Sequence, residues 1–521
     1  MDYLDTDPAR TITLRSLGDG RWRLTPQPAR DLRRTFLDTF DWSIYRAGAS
    51  LQWGRTGARQ GLVWSSLPPG DEQLCQPLPA APGFAADLPP GALRDRLTAI
   101  THRRRLLPVT AVATRLHPRL VQDADGRTVA RLRLAQARFE DPGGGAGELH
   151  ARLSLVPVRG CEDQCEALSA ALAETLDLTR ADAPLLLEAL AAAGRRPADY
   201  SAKIEHRLNP VARADTVAKE ILRALFATLE ANRAGVRANL DTEFLHDLRV
   251  ATRRTRSALG QFRGILPKAT VAHFKTEFAW LQEVTGPVRD LDVYLLEFDA
   301  CQQALPPALR DDLEPLRAVL RSHYAALQQG LVAALDSARF ARLTADWRAF
   351  LEAPVPALVP DAARPPKGAH PIKSVADRRL RALGKRVRRE GRRIRPDSPP
   401  ADLHALRKRC KKLRYLMEFF QSLYPKEQIR PLIGHLKVVL DNLGGFQDRA
   451  VQADHLRDLA RRMRDENQAA SDTLLAVGAV VGNLLARQQQ SRDEFAQLFS
   501  AFLDEQRQPG IANLFGSDAT G

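Results

Sequence analysis

Hydrophobic and polar positions change rhythm once along the chain, near residue 200. Before that point, short runs with partial alternation at 11–14, 62–64, 129–134 and 149–156 are broken by the turn-forming stretches LPPG, DADG and DPGGGAG. This is the pattern of antiparallel strands joined by tight turns. Helical spacing appears at 92–99 and in the Ala-, Leu- and Glu-rich segment 164–176, so the first part is expected to be an α+β domain dominated by antiparallel β structure. From about 210 onward Ala, Leu, Arg and Glu dominate and apolar residues recur every three or four positions, which predicts an all-α bundle.

The main interruption of the helical part is 352–371, EAPVPALVPDAARPPKGAHP. Its prolines remove backbone donors and predict an extended linker. A shorter break at 396–400 precedes a helix expected to begin near His404, and the tail 508–521 is expected to fray. The apolar run 474–486 contains Asn483 and ends at Arg487. It is shorter than the roughly 20 residues a membrane span needs and reads as a buried helix segment. The domains are therefore placed at 1–200 and 201–507.

A chain of 521 residues with 44% hydrophobic content can build more than one core. It carries 77 Lys and Arg against 62 Asp and Glu, a formal charge of +15, which favours an anionic partner over a neutral small molecule. The excess is uneven: residues 1–200 hold 26 Arg, no Lys and 24 acids, whereas 201–521 hold 51 basic and 38 acidic residues. Five scattered cysteines make neither a disulfide framework nor a zinc site, because the pair Cys161 and Cys165 lacks a second pair. The opening residues MDYLDTDPAR lack the basic start and apolar stretch of a secretory signal, and a cytoplasmic location is expected.

Comparing the two sides of the Pro-rich linker reveals a gap-free match at an offset of 158 residues. His246, Leu248, Arg249, Arg253, Arg254 and Arg256 correspond to His404, Leu406, Arg407, Lys411, Lys412 and Arg414; farther on, Phe262, Pro267, Lys268, Gly286 and Asp290 correspond to Phe420, Pro425, Lys426, Gly444 and Asp448. The helical part thus reads as an internally duplicated bundle, with copies at about 210–350 and 372–505. On a helical wheel His246, Arg249, Arg253, Arg256 and Arg263 form a basic stripe opposite Leu248, Ala251, Leu259 and Phe262. In the second copy His404, Arg407, Lys411 and Arg414 repeat it, backed by Leu406, Leu413, Met417 and Phe420 and flanked by Lys408 and Lys412.

An ordinary solvated helix face intersperses acids with bases, but 371–414 contains 17 Lys or Arg and only four acids. Such self-repulsion is relieved by an anion. The two histidines are either helix-start hydrogen-bonding groups or phosphate donors that strengthen at mildly acid pH. Asp290 and Asp448 are expected to orient nearby cations or cap a following helix, not to bind metal. No nucleophile with its base is recognisable, and no catalytic residue, cofactor or metal site is assigned.

The segments HDLRVATRRTRSAL with GPVRDLDV, and HALRKRCKKLRYL with LGGFQDRAV, resemble the CHAD family, the conserved histidine α-helical domain, over about 210–505. The resemblance implies two pseudo-symmetric helical bundles whose basic central surface binds inorganic polyphosphate, in proteins associated with polyphosphate granules. Carried onto this chain, that role falls on His246, Arg249, Arg253, Arg254, Arg256, His404, Arg407, Lys408, Lys411, Lys412 and Arg414. The pattern departs at Arg289, whose counterpart is Gln447.

Residues 1–200 resemble a divergent CYTH domain, the triphosphate tunnel fold, through FLDTFDWSIYRAGASLQW, RRRLLPV and VARLRLAQARF. That resemblance implies an antiparallel β tunnel whose active members transform triphosphates with metal-binding carboxylates. The family's opening Glu-x-Glu-x-Lys is placed here at Thr11, Thr13 and Arg15, and LHARLSLVPVRG stands where more tunnel acids belong. Threonine hydroxyls supply no countercharge to Mg²⁺, so hydrolysis is not expected.

The leading function is non-catalytic polyphosphate binding. The alternatives are nucleic-acid binding, against which the stripes offer almost no stacking aromatics beyond Tyr415, and triphosphate hydrolysis, for which Arg103 and Arg105 are test positions. No membrane partner is expected.

Overall fold

The computed structural model describes all residues except 1, 6, 18–19, 57–58, 68–72, 177, 182, 203–206, 356–366 and 508–521. Most of the first of the two LPPG stretches (67–70), the middle of the Pro-rich linker and the expected frayed tail lie outside the described residues. The chain divides into two units, Met1–Ser201 and Ala202–Gly521.

In the first unit the strands are β1 (Asp2–Asp5), β2 (Ser16–Leu17), β3 (Trp22–Pro26), β4 (Arg30–Asp38), β5 (Ala49–Thr56), β6 (Arg59–Ser66), β7 (Gln73–Pro77), β8 (Leu107–Gln122), β9 (Thr128–Glu140), β10 (Ala146–Glu148), β11 (Ala151–Pro157) and β12 (Leu178–Arg180). Five helices intervene: α1 (Pro8–Thr13), α2 (Ser43–Arg46), α3 (Ala92–Thr101), α4 (Glu162–Thr175) and α5 (Leu185–Ala192). The strands form one antiparallel sheet in the order β12-β1-β11-β9-β8-β4-β5-β6-β7, with β10 on β9 and β3 joining β2 to β8. Alternation marks the middle of β9: Ala130, Leu132 and Leu134 are buried while Arg131 and Arg133 are exposed. These apolar residues pack with Trp22, Leu24, Leu153 and Leu155 and with Cys161, Cys165, Leu168 and Leu172 at and within α4. Both cysteines are therefore core residues.

Residues 11–14 do not form the expected strand. Asp7 caps α1 by accepting from the Arg10 N–H at 3.1 Å, and Pro8 occupies the first turn, where its missing donor costs nothing. The carbonyls of Ile12 and Leu14 accept from the Arg119 guanidinium. Thr11, Thr13 and Arg15 therefore do not alternate on a strand, and the placement of the Glu-x-Glu-x-Lys counterpart there is corrected: the first strand is β1, paired with β11 and β12.

The second unit is helical: α6 (Ala214–Arg237), α7 (Thr242–Gln261), α8 (Lys268–Val284), α9 (Gly286–Gln303), α10 (Glu314–Leu335), α11 (Ala338–Glu352), α12 (Ile372–Gly391), α13 (Pro400–Phe420), α14 (Lys426–Asp465) and α15 (Ser471–Arg507). The apolar run 474–486 lies within α15, where Ala476, Val477, Val480, Val481 and Leu484 pack with Leu291 and Phe298 of α9 and Leu456 and Leu459 of α14. Among the described residues no helix is long and apolar enough to cross a membrane. The C-terminal end of the Pro-rich segment is not extended: Lys367–Ala369 make a 3-10 turn, after which the Ile372 N–H donates to the Ala212 carbonyl.

Candidate anion-binding site

The apolar keels place the two basic helices. Leu248, Ala251, Leu259 and Phe262 of α7, and Leu406, Leu413, Met417 and Phe420 of α13, are each at most 2% exposed. Burying a side chain of this size contributes about 1.5–3 kcal/mol, enough to fix which face of each helix turns inward. Phe262 and Phe420 meet edge to face, with centroids 6.2 Å apart. The start of α7 is set by Asp241, whose carboxylate accepts from the Glu243 and Phe244 N–H groups at 2.9 and 3.2 Å. Pro400 stands in the first turn of α13.

Beside these keels the basic stripes line two cavities. One, of about 760 Å³, is lined by His246, Arg249 and Arg253 from α7 and by His404, Arg407 and Lys411 from α13. The other, of about 880 Å³, is lined by Arg253 and Arg256 and by Lys408, Lys411 and Lys412. Arg253 and Lys411 belong to both linings, so the cavities adjoin as one groove. Arg263, Lys268 and Lys275 add three further cations to the second.

Two predicted residues are not brought there. Arg254 donates to Glu418 at 2.9 Å and to the Ala202 carbonyl at 3.0 Å, and Arg414 donates to the same Glu418 at 2.7 Å. One carboxylate thus ties α7 to α13 through two guanidinium groups, and neither arginine appears in the lining of either cavity. Their placement among the groove cations is corrected accordingly. The signal for Arg414 was present in the sequence, since Glu418 stands four residues on, at ion-pair spacing.

The cations in the groove are held against their own repulsion. Lys411 is pushed down to about 8 by burial and then by Arg407 and Arg253. Burial likewise lowers Arg249 to about 10, and burial followed by Arg289 lowers His246. An anion reverses both causes, supplying countercharge and hydrogen-bond acceptors. Neutral and acidic groups set the geometry. Arg253 donates to the Tyr415 hydroxyl at 2.7 Å, and Arg249 donates to the Gln282 carbonyl and the Thr285 hydroxyl at 2.9 and 2.8 Å. Arg407 pairs with Asp448 at 3.0 Å. Asp290 and Asp448 lie within α9 and α14 and cap no helix, and both face the first cavity. Arg289 and Gln447 also line it; Arg289 donates to the Thr242 carbonyl at 3.1 Å.

Sequence reasoning missed His323 of α10 and His455 of α14, which join His246 and His404 around the first cavity. His455 stands two helical turns after Asp448, on the same face, a signal that could have found it. His323 has none. His404 Nδ1 and Arg407 Nε are buried with no hydrogen-bond partner among the described residues, so each can still take one.

Residues 220–457 match the family model of the CHAD domain. Over 457 residues, 83% of each chain, the protein is 26% identical to the uncharacterized protein Rv2226 of Mycobacterium tuberculosis strain H37Rv, and equally to its counterpart MT2285 from strain CDC 1551. Among solved structures, the CHAD domain from the plant Ricinus communis is 24% identical with a TM-score of 0.47, covering 57% of this chain and 94% of that one. PptA from Streptomyces chartreusis is 18% identical with a TM-score of 0.44, covering 56% of this chain and 100% of that one. The segment that matches the CHAD domain model lies within the helical unit and contains both basic stripes.

Proposed function

We propose that this protein binds inorganic polyphosphate without turning it over, in the groove between α7 and α13. The observation that carries the reading is that Arg253 and Lys411, from different helices, line both adjoining cavities. A linear polyanion entering one cavity then continues into the other past both side chains. Guanidinium and ammonium groups hold phosphate oxygens but do not attack phosphorus. The reading extends to an internal duplication with an approximate two-fold axis, supported by the contact between Phe262 and its counterpart Phe420, and to association with polyphosphate granules.

Exchanging Arg253→Glu and Lys411→Glu together is expected to abolish retention of the full-length protein on long-chain polyphosphate. Unchanged retention rejects the site. With about six to ten charges engaged, affinity should also fall by orders of magnitude between low and moderate salt. Nucleic acid is the competing partner. If it displaces polyphosphate at equal phosphate concentration, the preference for polyphosphate is wrong.

For the first unit we infer a divergent triphosphate-tunnel domain. A cavity of about 510 Å³ on β4, β8, β9 and β10 gathers Arg33, Arg115 and Arg138 with Asp31 and Glu148, which supports phosphate contact. Phosphate release from tripolyphosphate with Mg²⁺ or Mn²⁺, abolished by changing Arg103 or Arg105, would establish hydrolysis instead.

A further inference from the structure

Helix α12 carries a second cationic face outside the groove. Its inner face is fixed by burial of Ile372, Val375, Ala376, Leu380 and Val387. Gly391 lies so close to α15 that an added Cβ would stand 1.9 Å from Cζ of Phe499. On the opposite side Arg378, Lys385, Arg389 and Arg392 fall within an arc of about 60° and extend over about 21 Å of helix. Arg386 and Arg393 flank them, and all six are exposed.

Among the described residues no acid answers this row. The two carboxylates of α12 are engaged elsewhere: Asp377 accepts from Lys373 at 2.6 Å and from Tyr424 at 2.7 Å, and Glu390 pairs with Arg409 of α13. Among the described residues none of Arg378, Lys385, Arg386, Arg389, Arg392 and Arg393 has an ion-pair partner. The row also begins where the groove opens, because Arg379 donates to the Arg263 carbonyl at 3.0 Å and Arg263 lines the second cavity.

We propose that the outer face of α12 is an external track for a polyphosphate chain that leaves the groove past Arg263. This rests on the groove reading. A single file of Arg and Lys on a rigid helix, with no aromatic side chain to stack a base, suits one flexible chain of linked phosphates better than a nucleic acid. A lipid surface does not fit, since the apolar face of α12 is already buried in the bundle. The consequence is a dependence on chain length: a short polyphosphate contained by the groove ignores α12, and a longer one gains its contacts.

The test replaces Lys385→Gln, Arg389→Gln and Arg392→Gln in the full chain and titrates it with a short polyphosphate and with one several times longer. Long-chain affinity should fall at least about tenfold at low salt, and the slope of log affinity against log salt should shrink by about two to three. Short-chain affinity should stay within about twofold, since the groove charges are intact. A variant with Arg389→Lys and Arg392→Lys should keep long-chain binding, which separates charge from fold. Equal loss for both lengths, or no loss for the long chain, overturns the track. So does a loss confined to duplex DNA. The pair Arg253→Glu with Lys411→Glu, titrated in parallel, should lose both lengths; if it loses neither, the groove reading fails and not merely its extension.

Discussion

Helices α7 and α13 carry matched basic stripes but neutralise them by different means. Arg249 of α7 spends its donors on the Gln282 carbonyl and the Thr285 hydroxyl, both uncharged, whereas Arg407 of α13 takes the Asp448 carboxylate. The cause lies in the helices they cross. In the first half the chain breaks between Val284 and Gly286, with Pro287 opening α9, because proline has no N–H to continue a helix. The break leaves the last carbonyls of α8 without helical partners, and a cation is favoured there. In the second half Gly444 and Gly445 replace the Gly–Pro pair, and α14 runs unbroken. Its carbonyls are used internally, so Arg407 needs a side-chain acceptor. A backbone acceptor holds a guanidinium without cancelling its charge, and a carboxylate cancels it. Asp290, the counterpart of Asp448, acts on Arg249 through space but makes no ion pair with it among the described residues, so the first stripe leaves this guanidinium more available to a ligand than the second leaves Arg407.

The strongest way to disturb the pair is to remove what joins it. Glu418→Gln leaves Arg254 and Arg414, whose side chains are 13% and 26% exposed, without a counter-ion. We expect a loss of roughly 2 kcal/mol, less than for a fully buried pair, read as a lower midpoint in thermal or urea unfolding, with polyphosphate affinity of the folded protein little changed.

Next in size is a pH effect confined to the junction. Lys411, at about 8 in the free protein, is faced by Arg253 from α7, by Arg407 and Arg414 on its own helix and by Asp448 from α14. A bound polyanion raises that value, so binding takes up a proton as pH passes 8. The contribution is present below 8 and lost above it. Affinity should fall about tenfold between pH 7 and 9, and Lys411→Arg should remove that step, because guanidinium stays charged. An unchanged pH profile in that variant would contradict the role given to Lys411.

Smaller still is the exchange that tests the neutralisation rule itself. Asp448→Asn should tighten polyphosphate binding about three- to tenfold by freeing Arg407. Thr285→Val, which removes only a neutral acceptor from Arg249, should change it less than about twofold. If both variants behave alike in a binding titration, the distinction between the helices carries no functional weight.

The helical part was legible because its signals are local. Leucines and phenylalanines at helical spacing and the bases opposite them specify a face without reference to any neighbour, and the structure buries the keel residues Leu248, Leu259, Leu406 and Leu413 as periodicity requires. Residues 11–14 were misread because alternating Thr and Ile residues suggest a strand, while the Asp7–Pro8 cap outweighs that pattern over so short a run. His323 carried no signal, since nothing near it in the chain marks it as part of a site.

By itself, the sequence determined that a charge-balanced, turn-rich part precedes a basic helical one, and that two stripes of His, Arg and Lys ride on buried keels. Those are properties of composition and of a repeat of 3.6 residues. Only the tertiary structure decided which cations meet. Arg253 and Arg254 are neighbours in the chain, yet one lines both cavities while the other is held by Glu418 of α13. The periodicity of one helix sets a direction for each side chain; whether a groove, a carboxylate or solvent lies in that direction depends on the helix packed against it.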